Sequence, residues 1–535
     1  MCAGYSPRTF FMALTRSFLS FRFVFQGLEN GRAVFSKAWK GGGELTHRGS
    51  RRLRFLFSAM LCALCGAYFL FAATAQTNAP LALSLQGAVQ LALLQNRDLA
   101  KLAAAHESAL LGRATAETDF SIRARPNGGV STTSGIQTRQ LGLDLVKKTE
   151  WGSELEIGGA LTKSDISDSD YAARDSIHVA LSQPLLRYAG RLVNREGLER
   201  ASSHIKTALR SLELKKSDIA LQVIQTYAEI EQLEAQAVVE QATLARLDKL
   251  ARLTLARAQQ GRATKVDTLR VESQRGDAVT RARTVAEQAA ALRLDLAELL
   301  GLEPRATLQL APPPVLAAET QAIEVAVVTA LSNRLDLAQV QQDYRDVERG
   351  LRIARHMLLP DLKLVTTYER YGQGATVSSA SGFDQNNWSI GLQSDGDIGS
   401  GRERIAYRQA QLDERTALDD IETTRRLIER QVRQQLLEQA RAAAEIGQAQ
   451  RNRTIAESRL HLARRLFEMG RGDNFTVTDA EQQFQQAQAA WLAAQTEAAL
   501  AGYKLRRLLG TLIECPDELK PDAEGIEVQR RKGTK

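Results

Sequence analysis

The sequence predicts an α+β protein that is mostly α-helical and contains two internal repeats. Three observations lead to this class. Apolar and Gly positions of one half recur in the other half after a constant shift of 209 positions. Each half contains one very long helical stretch without Pro. Each half also has a Gly-, Ser- and Thr-rich segment in which apolar and polar residues alternate, as in strands with two unlike faces.

The repeat is defined by matched positions. The shift carries Gly261 to Gly470 and the segment 299–301 to 508–510. Four apolar positions follow it as well: Leu209, Leu212, Ile219 and Val223 recur as Leu418, Ile421, Ile428 and Val432. A shift held over about 90 residues indicates a duplicated unit. We therefore predict a first repeat at 76–311, a Pro-rich linker at 312–319, a second repeat at 320–512 and a tail at 513–535.

Residues 1–75 are predicted to be a leader. The chain has 70 basic and 62 acidic residues, and residues 1–75 alone carry ten basic and two acidic ones. The rest of the chain is neutral, which argues against nucleic acid as a partner. Basic residues at 48–54 precede an apolar run at 55–73, and the small residues at 73–75 suit signal-peptide cleavage better than a retained anchor. We expect export with Gln76 as the first mature residue, and a mis-assigned start codon upstream.

In the first repeat, a helix is expected from Ser84 to about Ile122, with a break at 96–99. Strands are expected between Pro126 and Pro184. A single helix then runs over 192–259, about 100 Å at 1.5 Å per residue, and its apolar positions step by 3 and 4 like a coiled-coil seam. A turn at Gly261 leads to a return helix at 266–300.

The second repeat has the same predicted order. A helix at 320–357 breaks at 333–337, strands follow Pro360, and a long helix at 401–469 turns at Gly470 into a return helix that ends at Leu509. The first strand region is longer than the second by about 23 residues near 148–152. An added hairpin is the simplest explanation of this difference.

Short alternating strands in an exported chain leave two possibilities, a soluble periplasmic protein or an outer-membrane protein that spans lipid by strands. Two to three strands per half are too few to close a barrel, but about four strands from each of three subunits would close one of twelve. Aromatic residues near the expected strand ends would suit interfacial girdles: Tyr171, Tyr368, Tyr371 and Trp388.

The chain resembles a known family, the TolC-like outer-membrane efflux proteins, also called outer membrane factors. The resemblance rests on the paired helix breaks at 96–99 and 333–337, on the segment 181–186, on Pro360 and on the two Gly turns. It implies a homotrimer with a transmembrane β-barrel in the outer membrane of a Gram-negative bacterium and a periplasmic α-barrel. Such a protein is the exit duct of a tripartite efflux pump or type I secretion system, with a periplasmic adaptor (membrane fusion protein) and an inner-membrane pump as partners.

The resemblance also implies that the two Gly turns form a periplasmic tip that closes the tunnel and meets the adaptor. The tip candidates are Gly261, Arg262, Asp267, Gly470, Arg471, Asp473 and Asp479. Asp479 takes the place of carboxylates that constrict the family's entrance, whereas Thr476 stands where some members have a second acid. Three copies of Asp479 around a narrow axis would repel one another and attract cations. Alternatively, Asp479 is an ordinary exposed helix residue, and Arg262 and Arg471 either lock the closed state or are merely solvated.

An enzyme is not expected. The His residues are dispersed, Cys515 is the one Cys after residue 75, and no Gly-rich phosphate loop follows a strand. We predict no catalytic, cofactor-binding or metal-binding residue and no cofactor. The alternative from another class is a periplasmic coiled-coil adaptor or scaffold, which would have one helical hairpin, or no amphipathic strands.

Overall fold

Long helices make up most of the computed structural model, which describes residues 81–133, 136–165, 172–304, 308–311, 322–395 and 401–521. All of these belong to one unit, Ala79–Lys535. The helices before residue 300 are α1 (Leu85–Gln95), α2 (Arg97–Thr118), α3 (Arg191–Asn194), α4 (Glu196–Gln259) and α5 (Lys265–Leu299). The later helices are α6 (Ile323–Asn333), α7 (Leu335–His356), α8 (Val377–Ala380), α9 (Gly401–Glu468) and α10 (Asn474–Leu509), followed by a 3₁₀ turn at Asp517–Leu519.

The two sets of helices match in length. Helices α1 and α6 have 11 residues each, and α2 and α7 have 22 each. Helix α4 has 64 residues and α9 has 68, whereas α5 and α10 have 35 and 36. The predicted breaks near 96 and 334 separate α1 from α2 and α6 from α7. The N-cap prediction at Ser84 is confirmed, because its hydroxyl accepts the Gly87 N–H at 3.2 Å.

The seam positions of the long helices are buried. Ile219 and Val223 of α4, and Ile428 and Val432 of α9, are at most 2% exposed. Ile219 and Val223 pack in a cluster with α1, the end of α5 and the end of β1, whereas Ile428 and Val432 pack with α6, α7 and the end of α10. A third cluster joins α4, α5, α9 and α10 near their turns and includes Leu247, Val271, Phe467 and Val477. A helix this long has an apolar stripe that is buried only by neighbouring helices.

The strands form two sheets. A parallel pair joins β1 (Leu81–Leu83) to β6 (Leu308–Leu310). The larger sheet is antiparallel, with the order β2-β3-β4-β5-β7-β8. Its strands are β2 (Ile122–Thr133), β3 (Ile136–Lys148), β4 (Glu154–Ser164), β5 (Ala173–Pro184), β7 (Lys363–Gly374) and β8 (Gln385–Gln393). The first half of the chain thus supplies four strands to this sheet and the second half supplies two.

The larger sheet has two unlike faces, because successive residues of a strand point to opposite sides. On one face the register aligns apolar side chains that are exposed to solvent: Leu141, Leu143, Leu145, Leu155, Ile157, Ile177, Leu181, Trp388, Ile390 and Leu392. The other face carries polar and charged residues such as Asp144, His178 and Glu369, which the register places in one row. We call these the apolar face and the polar face.

Two expectations about the strands and helices need correction. Among the described residues the larger sheet has six strands, not about four, because the first half supplies two more strands than the second, in agreement with the added hairpin expected there. Strand β2 begins three residues after α2, before the expected start of the strand region, and continues through Pro126. Pro126 is tolerated because β2 lies at an edge of the sheet within this chain. The expected helix at 192–259 is divided at Arg195 between α3 and α4.

The aromatic girdle is also only partly correct. Tyr368 and Trp388 lie opposite each other on the apolar face, but Tyr371 belongs to the polar face, where Arg174 stacks on its ring at 4.3 Å. The leader at 1–75, Tyr171, the linker at 312–319 and the tail after 521 lie outside the described residues. Among the helices that the structure describes, none combines the length and apolar character needed to cross a membrane.

Candidate functional site: the turns of the two long hairpins

Two helical hairpins, α4 with α5 and α9 with α10, end in turns of the same construction. Gly261 and Gly470 adopt φ angles of 70° and 74°, the left-handed conformation that favours Gly. The Arg262 N–H donates to the Arg257 carbonyl at 2.8 Å, and the Arg471 N–H donates to the Leu466 carbonyl at 2.9 Å. These bonds close the ends of α4 and α9 as Schellman motifs.

The helix that follows each turn begins with a paired Thr and Asp. Thr264 caps α5 by accepting the Asp267 N–H at 3.2 Å, and the Asp267 carboxylate accepts the Thr264 N–H at 3.0 Å. In α10 the order is reversed, since Asp473 is the cap and accepts the Thr476 N–H at 2.9 Å. In both, the Thr hydroxyl donates to the Asp carboxylate, and this hydrogen bond is the main reason why the pKa of each Asp is lowered. Both carboxylates therefore remain charged in their capping roles.

Asp479 lies one turn further along α10, on the side that faces α9. Its Oδ2 accepts from Arg459 Nη2 at 2.7 Å, and Gln483 Nε2 donates to the same carboxylate at 3.2 Å. Arg262 and Arg471 are exposed, and within the described part of this chain neither forms an ion pair. The structure thus pairs Asp479 inside its own subunit, with an arginine that the sequence did not single out. An ion pair of Arg262 or Arg471 that would lock the closed state, one of the two alternatives above, is not formed among the described residues of one chain.

The two turns lie side by side. Asn474 Nδ2 donates to the Asp267 carbonyl at 3.0 Å, which ties the start of α10 to α5. Arg257 Nη2 donates to the Phe467 carbonyl at 2.7 Å and stacks on the Phe467 ring at 3.9 Å from its centroid. The turn of one hairpin is therefore fixed to the turn of the other by side chain to backbone bonds.

A buried carboxylate also joins the hairpins behind the turns. Glu481 of α10 is 4% exposed. Its Oε1 accepts from Arg246 Nε of α4 at 2.6 Å, and its Oε2 accepts from Arg464 Nη2 of α9 at 2.7 Å. The Arg464 bond lies within one hairpin, whereas the Arg246 bond connects the two. Charge-assisted bonds of this kind are among the stronger ones in proteins when they are shielded from water.

A second buried carboxylate lies further along the same helices. Glu240 of α4 is 1% exposed, accepts from Gln485 Nε2 of α10 and has Arg281 Nε of α5 at 3.6 Å from its other oxygen. The sequence analysis missed both Glu240 and Glu481. For Glu481 a signal existed, because it falls within the apolar stripe of α10 between Val477 and Phe484. A charge inside such a stripe indicates a partner on a neighbouring helix.

The second half of the chain resembles a known protein family. Residues 326–511 match the model of the outer membrane efflux protein family, described as OEP. This segment contains α7, strands β7 and β8, and the whole hairpin of α9 and α10. The resemblance to the TolC-like outer-membrane efflux proteins is confirmed. No curated protein matches the chain.

Solved structures of TolC-like proteins match most of the chain. VceC from Vibrio cholerae has a TM-score of 0.63 and 16% identity over 80% of this chain and 96% of its own. The outer membrane channel CmeC of Campylobacter jejuni has a TM-score of 0.64 and 13% identity, covering 83% of this chain and 89% of CmeC. The open state of the Neisseria gonorrhoeae channel MtrE has a TM-score of 0.60 and 15% identity, covering 80% and 89%. At these identities the likeness establishes the fold.

Proposed function

We propose that the protein is an outer-membrane channel, the exit duct of a tripartite efflux pump or type I secretion system. It acts as a homotrimer in the outer membrane and extends into the periplasm, where an adaptor and an inner-membrane pump deliver substrate. The single observation that carries this proposal is the apolar face of the larger sheet. The two matching sets of helices, one in each half of the chain, together supply this subunit's part of the tunnel wall.

The apolar face needs an apolar surrounding. Ten large apolar side chains from four strands lie on it and are exposed to solvent in the isolated chain. Monomeric soluble proteins seldom expose a continuous apolar patch of this extent. Lipid is the environment that such a face fits, because the same strands carry polar residues on the opposite side, as transmembrane strands do.

The sheet also needs neighbours at its edges. In lipid every backbone N–H and C=O requires a partner, and β2 and β8 each have one edge without a partner strand among the described residues. Pairing of β8 with β2 of the next subunit satisfies both edges. Three copies of a six-stranded sheet then close a barrel of eighteen strands, rather than the twelve expected from the sequence.

The helices supply a duct of the expected length. Helices α4 and α9 extend for about 96 and 102 Å at 1.5 Å per residue, and each returns through α5 or α10. Two coiled-coil hairpins per subunit give six in a trimer, which form the periplasmic α-barrel. The paired turns lie at the end of the hairpins away from the sheet, where they form the gate and the surface that meets the adaptor.

The proposal is tested by one pair of substitutions at leucines of similar exposure. Leu143→Arg places a charge on the apolar face of β3, whereas Leu110→Arg places it on helix α2. Arg near the bilayer midplane is destabilising by about 2–4 kcal/mol, so L143R should be lost from the outer-membrane fraction while L110R is retained. Wild type should require detergent for extraction, migrate as a heat-sensitive trimer and conduct ions in planar bilayers. A wild-type chain that is a soluble monomer would refute the proposal and favour a periplasmic adaptor or scaffold.

A further inference from the structure

A cluster of metal-ligand type lies on the polar face of the larger sheet, far along the chain from the hairpin turns. Asp144 of β3, Glu156 of β4 and His178 of β5 each contribute one donor atom, and these atoms all lie within 4.8 Å of one another. His178 Nε2 is 3.6 Å from Asp144 Oδ1 and 3.5 Å from Glu156 Oε1. Three adjacent strands therefore present two carboxylates and one imidazole to a common point.

The missing side chain of Gly158 allows this meeting. The register places Gly158 of β4 directly between Asp144 on one side and His178 on the other. A Cβ atom at Gly158 would overlap Asp144 Oδ1 and lie 2.6 Å from His178 Cε1. The His178 imidazole and the Asp144 carboxylate thus approach each other across β4, where Gly158 leaves space for them. Gly in a strand interior weakens the sheet unless a close approach of this kind requires it.

A neighbouring Gly leaves room for Asn127, and Asn127 positions the Asp144 carboxylate. Gly142 of β3 faces Asn127 of β2, whose side chain occupies the space above it. Asn127 Nδ2 donates to Asp144 Oδ2 at 2.5 Å, which leaves Oδ1 directed at the cluster. Asn127 Oδ1 is shielded from solvent and has no hydrogen-bond partner among the described residues. The hydrogen bond from the Asn127 amide thus orients the Asp144 carboxylate, as residues outside the ligand set commonly orient metal-ligating groups.

The cluster lacks a cation. Among the described residues, neither Asp144 nor Glu156 forms an ion pair with a Lys or Arg, and the side chain in contact with both is His178. Glu369, opposite His178 on β7, is neutralised by Arg174 at 2.8 Å and adds no free charge. The side chains of Asp144 and His178 are only 16% and 29% exposed. Two partly buried carboxylates without a Lys or Arg partner among the described residues leave an excess of negative charge that a divalent cation would offset.

We propose that Asp144, Glu156 and His178 bind a divalent transition-metal cation on the polar face. Four ligands at about 2.1 Å in a tetrahedron are about 3.4 Å apart, close to the separations of His178 from both carboxylates. Carboxylate oxygen with imidazole nitrogen suits Zn²⁺ and its first-row neighbours, and a fourth position remains for water. Binding requires only the sheet of one chain, so it does not depend on the proposed function. In a closed trimer the polar face lines the tunnel, and three such sites would form a ring within it.

The test measures binding of Zn²⁺ to the full-length, metal-stripped protein by calorimetry, together with the absorption spectrum of the Co²⁺-substituted protein. We expect about one Zn²⁺ per chain and the visible bands of four-coordinate Co²⁺. Asp144→Asn and His178→Ala should each weaken binding by at least about tenfold and abolish the Co²⁺ bands. His204→Ala removes an exposed imidazole of α4 and should change neither result.

A second pair of variants tests the geometry without removing a ligand. Gly158→Ala fills the gap and should abolish binding, whereas Gly159→Ala, whose Cβ would meet its nearest neighbour at 3.4 Å, should preserve it. Trimer migration on gels reports whether each variant folds, and D144N and H178A remain decisive if G158A does not. Failure of the wild type to bind Zn²⁺, or binding that H178A leaves unchanged, would overturn the proposal. In either case His178 Nε2 makes only a hydrogen bond to Glu156 at 3.5 Å and an electrostatic contact with Asp144 at 3.6 Å, and membrane insertion of the protein is unaffected.

Discussion

The bond between Arg246 and Glu481 should control how firmly the two hairpins hold together near the turns. Arg246→Gln removes this bond but leaves Glu481 paired with Arg464. Arg464→Gln removes a bond of nearly equal length that lies within the second hairpin. The two substitutions thus delete similar interactions and differ in which helices they release.

The magnitude follows from the burial of the pair. A hydrogen bond to a charged group contributes about 1.5–3 kcal/mol, and the Arg246 side chain is 25% exposed, so water replaces part of the lost interaction. We therefore expect R246Q to weaken the contact between hairpins by about 2 kcal/mol, which shifts a closed-to-open ratio about 30-fold per subunit. Because Arg246 also donates to Thr243 Oγ1, Glu481→Gln is a second variant that keeps this bond to Thr243.

The assay is amide hydrogen exchange of the trimer, followed for the peptides that contain the two turns, with conductance in planar bilayers as a functional readout. R246Q should speed exchange in both turns and raise the conductance or the open time. R464Q should speed exchange only in α9 and α10. Equal behaviour of R246Q and wild type, or an equally large opening in R464Q, would refute the assignment of this bond as one that holds the two hairpins together.

Three further predictions concern the turns and the long helices. Gly470→Ala places a Cβ in the left-handed conformation and should lower trimer stability in thermal melts by about 1 kcal/mol per chain, whereas Gly276→Ala in the interior of α5 should raise it by about 0.5–1 kcal/mol; a neutral G470A would contradict the turn assignment. Burial, with a contribution from Glu234, raises the pKa of Glu231 to about 7, so the folded state binds this proton more tightly than the unfolded state and loses stability as pH rises from about 4.5 to 7. Glu231→Gln should therefore raise the melting temperature at pH 8 and leave it unchanged at pH 4, and an equal effect at both values would count against this burial. Asp479→Ala should weaken block of the channel by divalent cations, and Arg459→Gln, which frees the carboxylate, should strengthen it; unchanged block in D479A would remove Asp479 from the gate.

The sequence predicted those features that depend on local pattern. Ile219 and Val223 are buried because a seam of 3 and 4 steps has one apolar side, and Gly261 ends its helix because few other residues adopt its φ angle. Five of the six described strands of the larger sheet, β3, β4, β5, β7 and β8, lie within the regions where strands are expected, between Pro126 and Pro184 and after Pro360. The exception was β2, where Pro126 and two consecutive Gly residues interrupt the pattern.

The features that depend on pairing between distant segments were not predictable. Arg246 and Glu481 are 235 positions apart, and their contact requires the packing of α4 on α10. Asp144, Glu156 and His178 meet only because the register of three strands places Gly158 between them. A shift of one position in any of these pairings would turn a side chain to the opposite face. The residues of both clusters are visible in the sequence, but their neighbours are not.

The six-stranded sheet has a consequence for how the conductance of the channel is interpreted. Barrel diameter grows roughly in proportion to strand number, so eighteen strands give about 1.5 times the width of twelve and about 2.25 times the cross-section. The electrical resistance of a water-filled segment falls as its cross-section rises. In the proposed trimer, the membrane-spanning segment then adds little to the total series resistance, and the gate proposed at the paired turns determines the current. Single-channel recordings of this protein would therefore be a nearly direct gauge of the opening between its hairpins.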